Sequence, residues 1–203
     1  SLTHRLHLTQ PQAYIFDPEL PYWIIYRNQL FDSVCRKLDF DVFEVFRDRQ
    51  LTNKLLSSSG ELRVLKSRNL SDDGKELLDI PGYDSYISYA AAKPLSVFQY
   101  LDAPNVYLTP NMTYKPRMMK KPPHCVVNGS LAILIPKGGI VPTEKQLAYF
   151  SSEEYRAFYQ IARNFQTRSL NVDACSVFFY GLLRDEAKPA PEKFDTSVQL
   201  SFL

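Results

Sequence analysis

The stretch from residue 103 to residue 143 contains no acidic residue, although the composition of the chain would place about four carboxylates in a window of that length. Five basic residues remain in the same window. Four of them stand close together in the segment TPNMTYKPRMMKKPPH, among amide, hydroxyl, aromatic and thioether side chains. This mixture is typical of a surface that binds a polyanion and distinguishes features of it. The candidate binding residues of this segment are Asn111, Thr113, Tyr114, Lys115, Arg117, Lys120 and Lys121.

Two earlier segments with similar side chains follow apolar runs that we predict to be strands. Residues 47–54 contribute the candidates Arg49, Thr52, Asn53 and Lys54, and residues 66–69 contribute Lys66, Arg68 and Asn69. Arginine, asparagine and glutamine form paired hydrogen bonds with base edges, whereas lysine, serine and threonine suit phosphate oxygens. The pattern therefore predicts phosphate contacts by Lys54, Lys66, Lys120 and Lys121. Base reading would fall to some of Arg49, Asn53, Arg68, Asn111 and Arg117.

The overall charge limits this interpretation to a local surface. With 24 lysines and arginines against 22 aspartates and glutamates, the formal net charge is only +2. The acid-free stretch has an alternative interpretation as an ordinary solvated loop, and a single arginine at a strand end is often one half of a surface ion pair. Three such segments in one chain favour the nucleic-acid interpretation.

Motifs of catalysis are missing from the sequence. There is no GxSxG, GxGxxG or GxxxxGK[ST] motif. His4 and His7 form an HxxH pair near a terminus and His124 adjoins Cys125, and we interpret these histidines as solvated or strand-end side chains rather than as metal ligands. Asp39, Asp41 and Glu44 lie close together, but no ExK follows at the interval that a metal-dependent nuclease would use. The tetrapeptide 111–114 lacks the prolines of the Asn-Pro-Pro-Tyr loop that grips a flipped adenine, so we interpret it as a loop.

The cellular compartment follows from cysteine usage and hydropathy. Cys35, Cys125 and Cys175 are too few and too scattered for a disulfide framework. The first residues, SLTHRLHLTQPQ, lack the apolar core of a signal peptide, and the longest apolar run is too short to span a bilayer. We therefore expect a cytoplasmic protein without a membrane partner.

Periodicity predicts a mixture of strands and helices. A helix is expected around Leu30 to Leu38, a strand from Phe40 to Phe46, and another from Leu62 with Arg63 on the opposite face. Turns are predicted at Asp73-Gly74 and Pro81-Gly82. Asn128-Gly129 between two apolar runs is a strong hairpin signal.

Two helices are expected downstream. Thr143 would cap the first, and Ser151 with Glu154 would open the second. The second would bury a face made of Tyr155, Phe158, Tyr159, Ala162 and Phe165, before an extended apolar run. The predicted fold is α/β, a single domain with a mixed, mainly antiparallel twisted sheet and a few peripheral helices. Its predicted bounds are 17–183, after an extension over 1–16 and before a tail or linker over 184–203.

The segment YFSSEEYRAFYQIARNFQTRSLNV resembles part of the target recognition domains of Type I restriction-modification specificity subunits and of related adenine-N6 DNA methyltransferases. RVLKSRNLSDDG and VVNGSLAILIPK resemble further strands of such domains. The residues that carry the first resemblance are Tyr149, Phe150, Ser152, Phe158, Tyr159, Thr167, Leu170 and Asn171.

The resemblance implies a specificity-domain fold that docks on the major groove of double-stranded DNA and selects the target sequence. A separate catalytic methyltransferase domain or subunit would bind S-adenosylmethionine and methylate adenine, and this chain would hold no cofactor or metal. The lack of a long heptad segment favours an excised C-terminal domain of a single-chain methyltransferase, with a Type II or IIS system as one option and a Type I system as another. A nuclease with dispersed carboxylates and a protein-interaction module are the alternatives.

Overall fold

A computed structural model of the chain describes residues 10–184, in which short strands and helices alternate. The helices are α1 (Gln12–Ile15), α2 (Gln29–Lys37), α3 (Tyr89–Ala92), α4 (Glu144–Tyr149) and α5 (Glu153–Ala162). The strands are β1 (Leu38–Asp39), β2 (Phe43–Phe46), β3 (Leu62–Leu65), β4 (Ser85–Ile87), β5 (Tyr107–Pro110), β6 (Met119–Lys120), β7 (Cys125–Val127), β8 (Leu131–Pro136) and β9 (Leu182–Leu183).

The strands form three sheets rather than the single sheet expected from the sequence. The largest has the order β2-β8-β5-β6, the second β4-β3-β7, and the third pairs β1 with β9. Within residues 10–184 every pairing is antiparallel except that of β3 with β7. The predicted α/β class with mainly antiparallel strands and few helices is confirmed.

The four-stranded sheet is buried on both faces. Along β8, Ala132 and Leu134 pack into a core that also contains α2 and α5, whereas Leu131 and Ile133 pack into a second core beneath the three-stranded sheet. Because successive side chains of a strand point to opposite faces, a strand between two cores must be apolar at every position. The unbroken run LAILI is explained in this way.

The predicted hairpin at Asn128-Gly129 is wrong. β7 pairs with β3, and β8 pairs with β2 and β5, so the turn between β7 and β8 carries the chain from one sheet to another. Neither Asn128 nor Gly129 has the positive φ that a tight two-residue hairpin turn needs. Glycine is required at 129 for another reason, since a Cβ there would lie 2.7 Å from the carbonyl oxygen of Asp48.

The predicted helices are present with two local differences. Thr143 caps α4 and forms a capping box with Gln146, as expected. The cap of α5 is Ser152 rather than Ser151, because the Ser152 side chain accepts from the Tyr155 amide. Four members of the expected α5 face are buried, but Phe165 lies beyond the helix end with 41% of its surface exposed. Part of the extended run expected after α5 is instead a 3-10 turn at Ser176–Phe179.

The turns predicted at Asp73-Gly74 and Pro81-Gly82 are present, and both glycines have positive φ, 74° and 77°. The last residues of the expected N-terminal extension contact α2 and the residues before it. Gln10 donates to the Arg27 carbonyl at 2.7 Å, and the Tyr14 hydroxyl donates to Asp32 at 2.6 Å. Apart from Arg184, the expected C-terminal tail lies outside the described residues.

Candidate functional site

The C-terminal ends of β2, β3, β5 and β7 meet at one edge of the two larger sheets, around the turn 128–130. The backbone N–H of Asn128 donates to the Leu65 carbonyl at 3.0 Å, and the backbone N–H of Ser67 donates to the Ser130 hydroxyl at 3.0 Å. The backbone N–H of Asn111 donates to the Ser130 carbonyl at 3.0 Å. We call the residues that follow these four strands, 47–52, 66–69, 111–117 and 128–130, the strand-end edge.

The strand-end edge brings together most of the candidates that the sequence predicts. The segments 66–69 and 111–117 lie on it, and the segment 47–54 begins on it. The side chains of Arg49, Thr52, Asn53, Lys54, Arg68, Tyr114 and Lys115 are exposed, and Thr113 is half-buried. The segments 66–69 and 111–117 and the start of the segment 47–54, which are distant in the sequence, thus lie at one edge.

The backbone conformation of residues 47–52, which follow β2, is held by hydrogen bonds near both ends of the segment. Asp48 is buried, and its carboxylate accepts from the Leu51 amide at 2.8 Å, which closes a turn around Arg49. At the far end, the Gln50 side chain accepts from the Ser96 amide at 2.6 Å. The backbone is anchored on both sides, while the Arg49 guanidinium points to solvent.

Arg117 is inside the protein, which corrects the expectation that it reads a base. Only 7% of its surface is exposed. Its guanidinium donates to the carbonyl oxygens of Lys115 at 3.0 Å, Ser67 at 3.0 Å and Leu70 at 3.2 Å. Burial lowers the pKa of Arg117, because the charged form loses hydration. The side chain ties the loop after β3 to the loop after β5.

Asn69 is also structural, contrary to the sequence-based prediction of DNA contact. It is fully buried, and its amide nitrogen donates to the Leu78 carbonyl at 3.0 Å and to Asp84 at 2.6 Å. Its side-chain oxygen accepts from the Lys66 amide at 2.9 Å. No hydrogen-bonding edge is left for a ligand.

Asn111, on the neighbouring loop, is likewise buried and hydrogen-bonded within the protein, contrary to the prediction that it reads a base. It is 6% exposed and donates to the Gly129 carbonyl at 3.0 Å and to the Asn171 side chain at 2.7 Å. Its oxygen accepts from the Val172 amide at 3.0 Å. Asn111 therefore joins the end of β5 to the chain after α5 instead of facing a ligand.

Lys120 and Lys121 lie away from the strand-end edge. Lys120 pairs with Tyr107 at the start of β5, whereas the edge begins after the end of that strand, about 10 Å further along. Lys121 is buried, and its ammonium donates to the carbonyls of Leu101 at 2.7 Å and Pro122 at 2.9 Å. Burial lowers the pKa of Lys121. The two lysines cannot share a phosphate-binding surface with the other candidates.

Lys66 is held over a tyrosine. Its ammonium lies 4.0 Å from the centre of the Tyr83 ring and donates to the Tyr83 carbonyl and, at 2.8 Å, to the Ser85 hydroxyl. Partial burial lowers the pKa of Lys66. The Arg68 guanidinium lies over the same ring at 4.7 Å. Two cations therefore share one aromatic support.

The loop after α5, which carries none of the DNA contacts predicted from the sequence, packs against the strand-end edge. The Thr113 amide donates to the Thr167 carbonyl at 3.0 Å, and buried Arg163 donates to the Asn171 carbonyl at 2.9 Å. The Arg168 guanidinium lies 5.2 Å from the centre of the Tyr114 ring. The only signal in the sequence was the pair of arginine and hydroxyl residues in QTRS.

Two of the three clustered carboxylates considered for a nuclease form ion pairs with other residues. Asp39 binds Arg184 at 2.7 Å, and Asp41 binds Lys137 at 2.6 Å. Within residues 10–184, no three acidic, histidine or cysteine side chains are grouped closely enough to hold a metal ion. The structure adds no support for this alternative.

A cavity of about 520 Å³ lies between α2 and β1, on a different part of the surface. Its charged walls are largely paired, since Arg27 binds Asp17 and Asp32. Burial raises the pKa of Cys35, which also lines the cavity, to about 12, so this thiol is protonated at neutral pH. No asparagine or glutamine lines the cavity, and of its three arginines only Arg36 has no carboxylate partner among the described residues.

Comparison with known proteins found no match, either to a protein-family model or to a curated protein. Of the helices in residues 10–184, none combines the length and the apolar character that crossing a membrane demands.

Proposed function

We propose that the chain is a sequence-specific double-stranded DNA-binding domain, the target recognition domain of a restriction-modification adenine-N6 DNA methyltransferase. The convergence of three separate polar, basic segments at the strand-end edge carries this proposal. Exposed arginine, asparagine and lysine on neighbouring loops supply both phosphate contacts and base-edge donors and acceptors. The resemblance of the scaffold segments to such recognition domains supports the same function.

The exposed and half-buried residues divide into two roles. Arg49 and Asn53 have side chains able to bond base edges in the major groove, while Thr52, Thr113 and Lys54 suit phosphate oxygens. Lys115 binds Asp72 at 2.5 Å, but both side chains are more than half exposed. An exposed ion pair of this kind contributes little, so Lys115 can exchange Asp72 for a DNA phosphate.

The chemistry belongs to a partner in this proposal. The strand ends of this chain carry basic and amide side chains instead of a glycine-rich loop, so we place S-adenosylmethionine in a separate catalytic domain or subunit. Three free cysteines suit a reducing cytoplasm, which is where we place the protein.

Duplex binding tests the proposal. Sites would first be selected from random duplexes with the full chain, and affinities for the selected and a scrambled duplex measured by fluorescence anisotropy from about 50 to about 200 mM salt. We expect tighter binding to the selected duplex and a steep loss with salt, because phosphate contact releases counterions. Arg49→Ala should reduce the difference in binding free energy between the selected and the scrambled duplex by about 1 to 3 kcal/mol.

Lys120→Ala provides the matched control. Lys120 is an exposed cation of the same acid-free stretch, but it lies at the opposite end of β5. Its removal should leave both affinities unchanged. Binding without sequence preference, or without salt dependence, would contradict the proposal.

A protein-interaction role is a second candidate, favoured by one apolar patch. Phe16, Trp23, Ile25 and Phe165 each expose 41% or more of their surface. Asn164 joins the two parts of the patch by accepting from the Ile25 amide at 2.8 Å and donating to the Trp23 carbonyl at 3.0 Å. If this patch were the main binding surface, Trp23→Ala would abolish partner binding and the chain would not bind duplex DNA.

A further inference from the structure

Two arginines lie on tyrosine rings, Arg68 at the strand-end edge and Arg168 on the loop after α5 beside it. The Arg168 guanidinium is 5.2 Å from the centre of the Tyr114 ring, and the Arg68 guanidinium is 4.7 Å from that of Tyr83. Both arginines are exposed, and Tyr114 exposes 49% of its surface. An arginine over an aromatic face is attracted by the ring and loses part of its rotamer freedom before any ligand arrives.

Both guanidinium groups lack a carboxylate partner among the described residues. Arg27, Arg63 and Arg184 behave differently, because each binds an aspartate. A ring occupies only one face of a guanidinium and leaves the N–H donors at its rim free. Arg68 and Arg168 therefore present intact positive charge and unused donors to solvent.

The two arginine–tyrosine pairs share one rigid support. The loops that carry Tyr114 and Arg168 are joined by the hydrogen bond from the Thr113 amide to the Thr167 carbonyl. The loop that carries Arg68 is joined to the Tyr114 loop by buried Arg117, which donates to the Ser67 carbonyl. The relative position of the two loops that carry the arginines is consequently set by the fold.

We propose that Arg68 and Arg168 are a pair of ring-held phosphate anchors that fix the domain on the DNA backbone. The inference rests on the proposed DNA-binding function and assigns two residues within it. A guanidinium that lies on a ring stays close to the protein surface, where it meets the sugar-phosphate backbone. A side chain that reads a base edge must instead extend into the groove. Arg68, which the sequence suggests as a base reader, is thereby reassigned.

Alanine substitution separates the two roles. For Arg68→Ala and Arg168→Ala in the full chain, we expect the affinities for selected and scrambled duplexes to fall by the same factor, roughly tenfold. The slope of log affinity against log salt should decrease in magnitude by about 0.9 for each variant, the amount expected for one lost phosphate contact. Lys120→Ala should change neither quantity.

The role of the rings is tested by paired substitutions of Tyr114. Tyr114→Phe keeps the aromatic face and should bind like the wild type. Tyr114→Leu removes it and should weaken binding to both duplexes several-fold without changing the salt slope, because Arg168 keeps its charge. Thermal unfolding of each variant verifies that the fold is intact.

Several results would overturn the inference while leaving the proposed function in place. One is wild-type binding that depends on salt and sequence, combined with arginine variants that match Lys120→Ala. Another is a loss on the selected duplex alone, which would make the arginine a base reader. If the wild-type chain bound neither duplex, the proposed function itself would fail.

Discussion

At the scale of single residues, arginine and asparagine, which are suited to DNA recognition, also form buried hydrogen bonds that stabilise the fold of this protein. Arg117 and Asn111 have the chemistry of base readers, but each is saturated by backbone and side-chain partners. Arg49 and Arg68 share that chemistry and are exposed. Exposure, not residue type, separates the candidate contacts from the structural ties.

Arg117→Ala should therefore destabilise the fold. Three carbonyl oxygens would lose their donor, and the space of the guanidinium would stay empty, so we expect the free energy of unfolding to fall by about 3 kcal/mol. Urea denaturation followed by circular dichroism measures this change. Arg68→Ala, which removes an exposed arginine from the same edge, should change the free energy by no more than about 0.5 kcal/mol. Equal effects of the two substitutions would contradict the structural role of Arg117.

At the scale of elements, local signals placed the helices well but misplaced one cap by a residue. Ser151 and Glu154 have capping-box spacing, yet the Ser152 side chain is the one that accepts from the backbone of α5. The Ser151 hydroxyl instead donates to the Ala148 carbonyl at 2.8 Å, at the end of α4. Two adjacent serines thus serve two different helices.

Substituting each serine distinguishes the two assignments. Ser152→Ala should lower the free energy of unfolding by about 1 kcal/mol, because the first turn of α5 loses its acceptor. Ser151→Ala should have a smaller effect, since it removes one exposed hydrogen bond. The free energies come from denaturant titration of both variants, and a larger loss for Ser151→Ala would support the cap predicted from the sequence.

Strand partners were beyond the reach of local patterns. The apolar run of β8 and the alternation in β3 were visible in the sequence, but Asn128-Gly129 gave no sign that β7 and β8 belong to different sheets. What decides the matter is the close approach of Gly129 to the Asp48 carbonyl, a residue far away in the chain. The burial of Lys121 likewise depends on Leu101 and Pro122, so its lysine side chain alone could not reveal it.

At the scale of the whole molecule, the larger core contains four buried tyrosines, three of which lie together and should respond to alkaline pH. Burial raises the pKa of Tyr155, Tyr159 and Tyr180. The hydroxyl of Tyr180 bonds to Thr109 at 3.1 Å and to Tyr159 at 3.3 Å, so the phenols are accommodated as neutral groups. In the unfolded chain, each would ionise near pH 10.

Stability should consequently fall as the pH rises above about 10. In that range the unfolded chain has lost the tyrosine protons and the folded protein still holds them, so each phenol lowers the free energy of unfolding by about 1.4 kcal/mol per pH unit. Lys121, with its lowered pKa, acts in the opposite direction up to the unfolded-state pKa of about 10.4. Urea midpoints measured from neutral to alkaline pH test the net effect. Tyr159→Phe should flatten the decline, and an unchanged slope would argue against the phenols as its source.

The hydrogen bonds of Asn111 with Asn171 and Val172 have a consequence for synthesis of the protein. β2 has no strand partner until β8 is made, and the loop after β5 gains its contacts with the chain after α5 only when residues 171 and 172 have been made. Pairings between such distant segments also form slowly. Under the proposed DNA-binding function, the loop after β5 would therefore be fully held for binding only after residue 172 has been translated.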